Sequence, residues 1–532
     1  MLTFLPAILL LITALAVFLL RYLPRGTGYS WLTAVTMTLL VWGGVLALHW
    51  YTPPVVDISS WQPYDPGTAD AIRFSWNSVS WLYSLVLVSV CLVVLMTSGA
   101  RLQLFSNPLS WSANLVITAA GLVAVLADTS LAMVLSWVLL DVIDLILVQR
   151  LSRSWKYSAR GITVFVVRTI SIFLMITALV VQWFIGIPLE FETMSPLASL
   201  FVLLSLGLRL GLVPLNLPYK RDFPFQRELV SNLRLTAHIV GLAALARIPQ
   251  LSVPGNWLPT LYTVTIIACL YGAAMWVASQ DEISGRPYWL LTLSGLAFIC
   301  VLQGRTEQSA AWGLVMAVSG AGLFLFSSRA RGLISIPILG MVALSGLPFT
   351  PASIGWDGLV VVPFGIGDAM LIITVALLLF GYGRHALKPG DDFSGLDGWV
   401  RVIYPVGFIL LLASGWVGAG LGLSGGLSAG IVWPAAAASI ISALFWAASW
   451  RLKTVAALPL YTQAVGVINS GWNLLIRFLR LSWLYEFLWS IYQGLRRLVA
   501  FLTLLFEGEG GLLWSFLLLV LMLTIIFAET GL

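Results

Sequence analysis

Long apolar runs, separated by short polar and often basic stretches, set the pattern of this chain. Apolar segments fall at about 2–23, 31–50, 79–99, 112–127, 130–149, 162–185, 198–216, 229–247, 258–279, 286–303, 308–327, 331–347, 366–384, 400–420, 427–450 and 511–528. Most approach the roughly 20 residues that a helix needs to cross a bilayer. A shorter apolar piece at about 350–364 reads as a half-helix. The pattern predicts an all-α, polytopic integral membrane helical bundle with about 15–17 membrane elements. The first segment lacks a basic leader and a small-residue cleavage site, so it is expected to be a retained helix rather than a signal peptide. Between 454 and 508, Arg477, Arg480, Arg496 and Arg497 interrupt an apolar and aromatic sequence. A long amphipathic helix along the cytoplasmic interface fits this pattern, its arginines reaching water or head groups. Two ordinary membrane helices with charged ends fit it too. The GEGG at 508–511 ends the stretch before a last membrane helix.

One segment departs from the pattern. Residues 205–218 read SLGLRLGLVPLNLP, with Arg209, Pro214 and Pro218 inside an apolar run. An arginine near mid-membrane costs roughly 2.5–3.5 kcal/mol even on lenient insertion scales. Proline removes a backbone donor and breaks the helical ladder. Non-helical backbone survives at membrane depth only where protein or a water-filled cavity covers it. A charge beside such a break points to part of an ion path.

Basic residues orient the bundle. Arg21 and Arg25 follow the first segment, and Arg150, Arg153, Lys156 and Arg160 follow the fifth. Lys220, Arg221 and Arg227 follow the seventh, and Arg329 and Arg331 the eleventh. All share the cytoplasmic side of a cell membrane if the N-terminus lies outside. The loop at 51–75, with Asp57, Asp65 and Asp70, then faces out.

Composition agrees with the pattern. Of 532 residues, 60% are hydrophobic and only 9% charged, which excludes a soluble globular protein. The 24 tryptophans suit interfacial belts. A net charge of +6 is ordinary for a protein with basic cytoplasmic loops and does not point to nucleic acid. Cys91, Cys269 and Cys300 lie in separate apolar segments and form neither a disulfide framework nor a metal spacing. With no nucleophile–base set and no phosphate loop after a strand, an enzyme with its own active site is not expected. The glycine-rich 418–426 reads as a loop or close helix contact.

Ionisable residues inside apolar segments are the candidate chemistry. Asp141 and Asp144 lie in WVLLDVIDLILV, three apart and so on one helix face. Arg168 lies in FVVRTISIF, Arg234 and His238 in SNLRLTAHIVG, and Asp357 and Asp368 flank the short piece near 360. Such a row of charges reads as a proton or ion relay by default. The plainer reading is that an Asp–Arg pair locks two helices together. That reading suits Arg168, with Asp144 near a helix end and solvated. His238 has the titration range of a proton shuttle; a lone histidine is also commonly a packed, hydrogen-bonded one.

These motifs, taken in order, resemble the antiporter-like subunits of respiratory complex I and of Mrp-type sodium/proton antiporters, nearest to the chain L type. The family's N-R-x-G-D on the sixth helix reads Val167-Arg168-Thr169-Ile170-Ser171 here. Its K-S-A-Q-x-P-L-H on the broken seventh helix reads RLGLVPLN at 209–216. Its A-Y-S-S-I-S-Q-L-G-Y run reads WLLTLSGLAF at 289–298, and its G-L-P-P-T-A-G-F-I-G-K reads GLPFTPASIGW at 346–356, which puts a second helix break at Pro348. Its L-D-G-L-S entering the third helix reads WNSVS at 76–80. The resemblance covers about 70–530. It implies two broken-helix inverted repeats at 111–250 and 251–390. Before them stand N-terminal helices and an external loop at 1–110. After them come C-terminal helices at 391–453, the interfacial helix at 454–510 and a final span at 511–532.

The departures from the family are as informative. Where the family carries a Trp-Glu pair on the fifth helix, Trp137 is followed by Val138. Asp141, one turn along, is a stand-in, or the acid is lost. The sixth-helix aspartate falls on Ser171, the seventh-helix lysine on Arg209, and the lysine of the second broken helix on Trp356, with Asp357 beside it. Arginine keeps the charge of lysine but does not release its proton. The resemblance implies a proton-translocating subunit of a complex I-like or related energy-converting complex. Asp141 and His238 would titrate there, Arg209 would act as a fixed charge, and Arg168 and Asp357 would stand on the path. It implies other membrane subunits and lipid as partners, and no cofactor in this chain. The departures favour a second expectation, a non-pumping structural paralogue in such a complex. A third is the membrane partner of an inorganic-carbon uptake system, which gene neighbours would separate from the first two.

Overall fold

The computed structural model describes residues 2–23, 26–60, 71–101, 107–151, 155–186, 191, 194–213, 215, 227–248, 253–326, 333–360, 363–388, 397–455 and parts of 489–524. The chain divides into two units, Met1–Arg451 and Leu452–Leu532. Helices dominate the first. They are α1 Leu5–Leu20, α2 Gly26–Ala47, α3 Ser78–Ser98, α4 Pro108–Leu126, α5 Ser130–Leu151, α6 Trp155–Ile185, α7 Pro196–Arg209, α8 Arg227–Leu245, α9 Trp257–Ala278, α10 Glu282–Leu302, α11 Thr306–Phe324, α12 Ser335–Ser345, α13 Ile366–Ala386, α14 Gly398–Gly422 and α15 Val432–Val455. Among the described residues, eleven helical stretches are long and apolar enough to cross a membrane. This is a multi-pass, all-α membrane bundle, and its helices follow the apolar segments of the sequence in order.

Local chemistry sets where several helices begin. Asn77 accepts the backbone N–H of Ser80, whose hydroxyl answers the Asn77 N–H, a capping box that starts α3. Asn107 with Pro108, and Ser195 with Pro196, start α4 and α7 by pairing a side-chain cap with a proline whose missing N–H is not needed there. Asp281 and Ser284 form a second capping box at α10.

Burial separates the centre of the bundle from its rim. In α3 and α10, 94% of the spanning window is buried, against 39% in α1, α2 and α6. The rim exposes large apolar side chains such as Phe173 and Phe184 of α6, as lipid contact requires. Apolar burial gives little drive where lipid is as apolar as leucine, so close packing and interhelical hydrogen bonds hold the bundle. Two polar knots supply such bonds. The Trp42 indole donates to the hydroxyls of Ser89 and Ser414 at 3.0 and 3.1 Å, tying α2, α3 and α14. The Asn232 amide of α8 donates to the Asn114 carbonyl and Oδ1 and to the Thr118 hydroxyl of α4, at 3.1–3.3 Å.

Two membrane helices stop short. α7 has 14 residues and α12 has 11, about 21 and 16 Å at 1.5 Å per residue, against about 30 Å of hydrocarbon. The backbone beyond α7 turns at Gly211, and α12 ends on Gly346, both in the left-handed region where glycine is unstrained. After α12 the chain leaves the helix, passes Pro348, and forms a short 3₁₀ helix at Ser353–Gly358 where the sequence reading placed a half-helix.

One element lies outside the helical expectation. The loop after α2 forms an antiparallel hairpin of β1 Val56–Ser60 and β2 Ala71–Phe74, with an Asp57–Arg73 ion pair at 3.1 Å. Phe74 bridges to Ala127, so the hairpin is fastened over the α4–α5 connection. In the second unit, described residues at 489–490, 492–494, 496–498 and 515–522 are helical, and the rings of Trp489 and Tyr492 stack. The expected interfacial helix falls outside the described residues over 456–488, including Arg477 and Arg480.

Candidate functional site

Four charged side chains meet at the end of α7. Arg209 is its last helical residue and is buried. Its two terminal nitrogens donate to the two carboxylate oxygens of Asp141 on α5, at 2.8 and 2.9 Å. The paired geometry matches a planar fork to a planar carboxylate. Arg168 of α6 donates from Nη1 to Asp141 Oδ1 at 3.2 Å, and the same nitrogen bonds Asp144 Oδ2. The indole of Trp137, one turn before Asp141, lies beneath the Arg209 guanidinium, 4.3 Å from ring centroid to carbon. Two carboxylates and two guanidiniums cancel, so the cluster is neutral, as a buried set of charges must be to avoid several kcal/mol of unpaired desolvation.

The local folding of three helices builds this arrangement. Positions 137, 141 and 144 follow the i, i+4 and i+7 spacing of one helical face. Val138 is 43% exposed and so points away from the cluster. The acid facing Arg209 is therefore Asp141, not a residue at position 138. α6 and α7 pack together, and the Ser205 hydroxyl of α7 donates to the Ser171 carbonyl at 2.6 Å, setting their register. Ser171 itself turns its hydroxyl onto the Arg168 carbonyl. A small cavity between α5 and α6 is lined by Asp141, Asp144, Val148, Gly161 and Arg168. The buried Asp144 Oδ1 has no hydrogen-bond partner.

The other sequence candidates are placed differently. Asp144, expected near a helix end and solvated, is 4% exposed and paired with Arg168; the cluster took it inward because it shares the face of Asp141. His238 of α8 is half-buried, its Nδ1 3.0 Å from the Arg234 carbonyl one turn back. A carbonyl only accepts, so Nδ1 carries the hydrogen. Asp357 sits on the 3₁₀ helix after α12, where its Oδ1 accepts the Ile431 N–H at 2.9 Å and holds the start of α15. Pro348 lies three residues beyond the end of α12. Pro214 and Pro218 lie outside the described residues.

The cluster also contains what sequence reasoning passed over. Trp137 entered as half of a family pair, yet here it is the platform for Arg209. The 137/141/144 spacing was the signal that could have found it.

Among the described residues the second break carries no ion-pair cluster, and Asp357 is the one charge on its 3₁₀ helix. Trp356 is fully buried, as is Trp312 of α11, and their rings meet edge to face at 5.8 Å. The Trp312 indole donates to the Gly355 carbonyl at 3.0 Å. Among the described residues no group of three or more His, Cys, Asp or Glu side chains could hold a metal.

No protein-family model and no curated protein matches the chain. Solved structures do. A chain of the Mrp complex from Dietzia sp. DQ12-45-1b superposes with a TM-score of 0.69 at 13% identity, over 99% of this chain and 63% of that one. A chain of the membrane-bound sulfane sulfur reductase, an archaeal respiratory membrane complex, gives 0.67 at 12% identity, over 98% and 99%. A chain of respiratory complex I from Thermus thermophilus gives 0.62 at 18% identity, over 83% and 99%. The chain shares the fold of these chains of complex I, the Mrp complex and the sulfane sulfur reductase.

Proposed function

We propose that the chain is an antiporter-like subunit of a multi-subunit, energy-converting membrane complex, and that it serves there as a scaffold without passing protons itself. Other membrane subunits and lipid would be its partners, in a cell membrane with the N-terminus outside. The carrying observation is the grip of Arg209 and Arg168 on Asp141. A relay needs a member that changes its protonation as the proton moves. Guanidinium does not release its proton in proteins, and lysine, which does when buried, is missing from the cluster. Asp141 is bound on both oxygens, so protonating it would remove the charge that three hydrogen bonds rest on.

A second reading, proton translocation through the first repeat, is favoured by Asp144. Its unpartnered Oδ1 and the cavity beside it leave one carboxylate oxygen of the cluster open to a water or a proton.

Proton pumping per turnover by the purified assembly in proteoliposomes separates the two. Wild type is compared with Asp141→Asn, Asp144→Asn and Arg209→Ala, each checked for assembly on a native gel. The scaffold reading expects unchanged pumping per turnover in every variant that assembles. A fall in pumping per turnover with the complex intact would sink it and establish the relay.

A further inference from the structure

The two helix breaks are covered in opposite ways. At the first, charged side chains meet the end of α7. At the second, α11 bears no charge after Glu307 in its first turn, and α12 and the chain beyond it bear none before Asp357. Yet the backbone there is as irregular: Gly346 and Phe349 both have positive φ, at 68° and 63°, and regular α-helix does not resume until α13. Such backbone at membrane depth must be buried by protein or line a water-filled cavity.

Indole rings bury it here. A methyl group added at Gly346 would stand 2.2 Å from Trp356 Nε1, and one added at Gly355 would stand 2.7 Å from Trp312 Nε1. Each ring therefore lies directly on a glycine of the broken segment, a contact that any larger residue would prevent. Trp312 also satisfies the Gly355 carbonyl, and Cys300 of α10 closes on the same carbonyl from another side. Trp356 is walled in completely, and its own N–H has no partner.

We infer that Trp312 and Trp356 form an ion-tight plug over the second helix break. Water enters a cavity only where polar atoms can bind it and stays out of an apolar one. The break offers such atoms in its backbone, and the two rings occupy the space that water would need. Removing the rings leaves a cavity lined by backbone carbonyls and amides, which hydrates. The inference deepens the reading of the chain as a scaffold that passes no protons, and it concerns the second repeat alone.

The test is passive proton permeability, separate from turnover-driven pumping. The purified full chain is placed in liposomes loaded with a pH-sensitive dye, and a potassium diffusion potential drives protons inward. Wild type should be as tight as protein-free liposomes. The double variant Trp312→Ala/Trp356→Ala should leak several-fold faster, and Trp356→Phe, which keeps a ring over Gly346, should stay tight. A double variant that elutes like wild type on gel filtration but leaks no more would overturn the plug. So would a leaking wild type, or a phenylalanine variant as leaky as alanine. If the double variant does not elute as a single species, Trp356→Ala alone carries the test with the same outcomes. Loss of coupled pumping in Asp141→Asn would sink the scaffold reading without changing this passive leak, so the two failures are distinguishable.

Discussion

Arg209 holds Asp141 by both terminal nitrogens, at 2.8 and 2.9 Å, while its guanidinium rests on the ring of Trp137. Asp141 is in turn shared with Arg168. This sharing makes the two partners unequal. Removing Arg209 leaves Asp141 with Arg168, whereas removing Asp141 takes a carboxylate from two buried guanidiniums at once.

Asp141→Ala should therefore destabilise the chain more than Arg209→Ala. Breaking a buried pair by deleting one partner costs about 3–5 kcal/mol, and the aspartate variant belongs at the top of that range. The double variant Asp141→Ala/Arg209→Ala should cost less than the sum of the two. Denaturation in detergent, read as a double-mutant cycle, measures the coupling; additive losses would contradict the pairing. Arg209→Lys should recover only part of the loss, because an ammonium cannot match both carboxylate oxygens or stack on the indole as guanidinium does.

Gly161 sets how closely α6 approaches α5. A Cβ there would fall 2.8 Å from Val148 Cγ1, on a cavity that Arg168 and Asp144 also line. Gly161→Val should force the helices apart, costing about 1–3 kcal/mol as overpacking does. Gly161→Ala should cost less. Thermal unfolding followed by intrinsic fluorescence ranks the two, and equal stability of the valine variant would show that the helices separate freely.

Asp281 lies outside the spanning segments, at the start of α10. Burial raises its carboxyl pKa, but the backbone N–H and hydroxyl of Ser284, together with the nearby Lys388 and His385, outweigh this and hold it below the usual carboxylate range. A depressed folded pKa contributes stability above the unfolded value near 4, and that contribution is lost as pH falls through the lower folded value. Asp281→Ala should cost about 0.5–2 kcal/mol at neutral pH, the range for losing a helix N-cap. The gap between variant and wild type should narrow as pH is lowered below about 4. Unfolding midpoints across pH check this; a gap independent of pH would show that the ionised carboxylate is not the cap.

Hydropathy alone determined the membrane class and the order of the helices. The reason is physical: a segment in hydrocarbon must satisfy its own backbone and present apolar side chains, and both demands are written locally in about 20 residues. Asp141, Arg168 and Arg209 were likewise visible as charges where charges are expensive. A pair between Arg168 and one of the aspartates was legible too, but the two-nitrogen hold of Arg209 on Asp141 was not, because it joins positions 68 residues apart. Only helix packing decided that Asp144 turns inward to Arg168, that His238 bonds the Arg234 carbonyl one turn back, and that Asp357 holds the start of α15. The same holds at the second break. Tryptophan at 356 reads in sequence as a lost lysine, while the folded chain lays its ring on Gly346 and sets it against Trp312. Side-chain partners at that depth are chosen by which helices meet, and helix contacts depend on shape along the whole bundle rather than on any one segment.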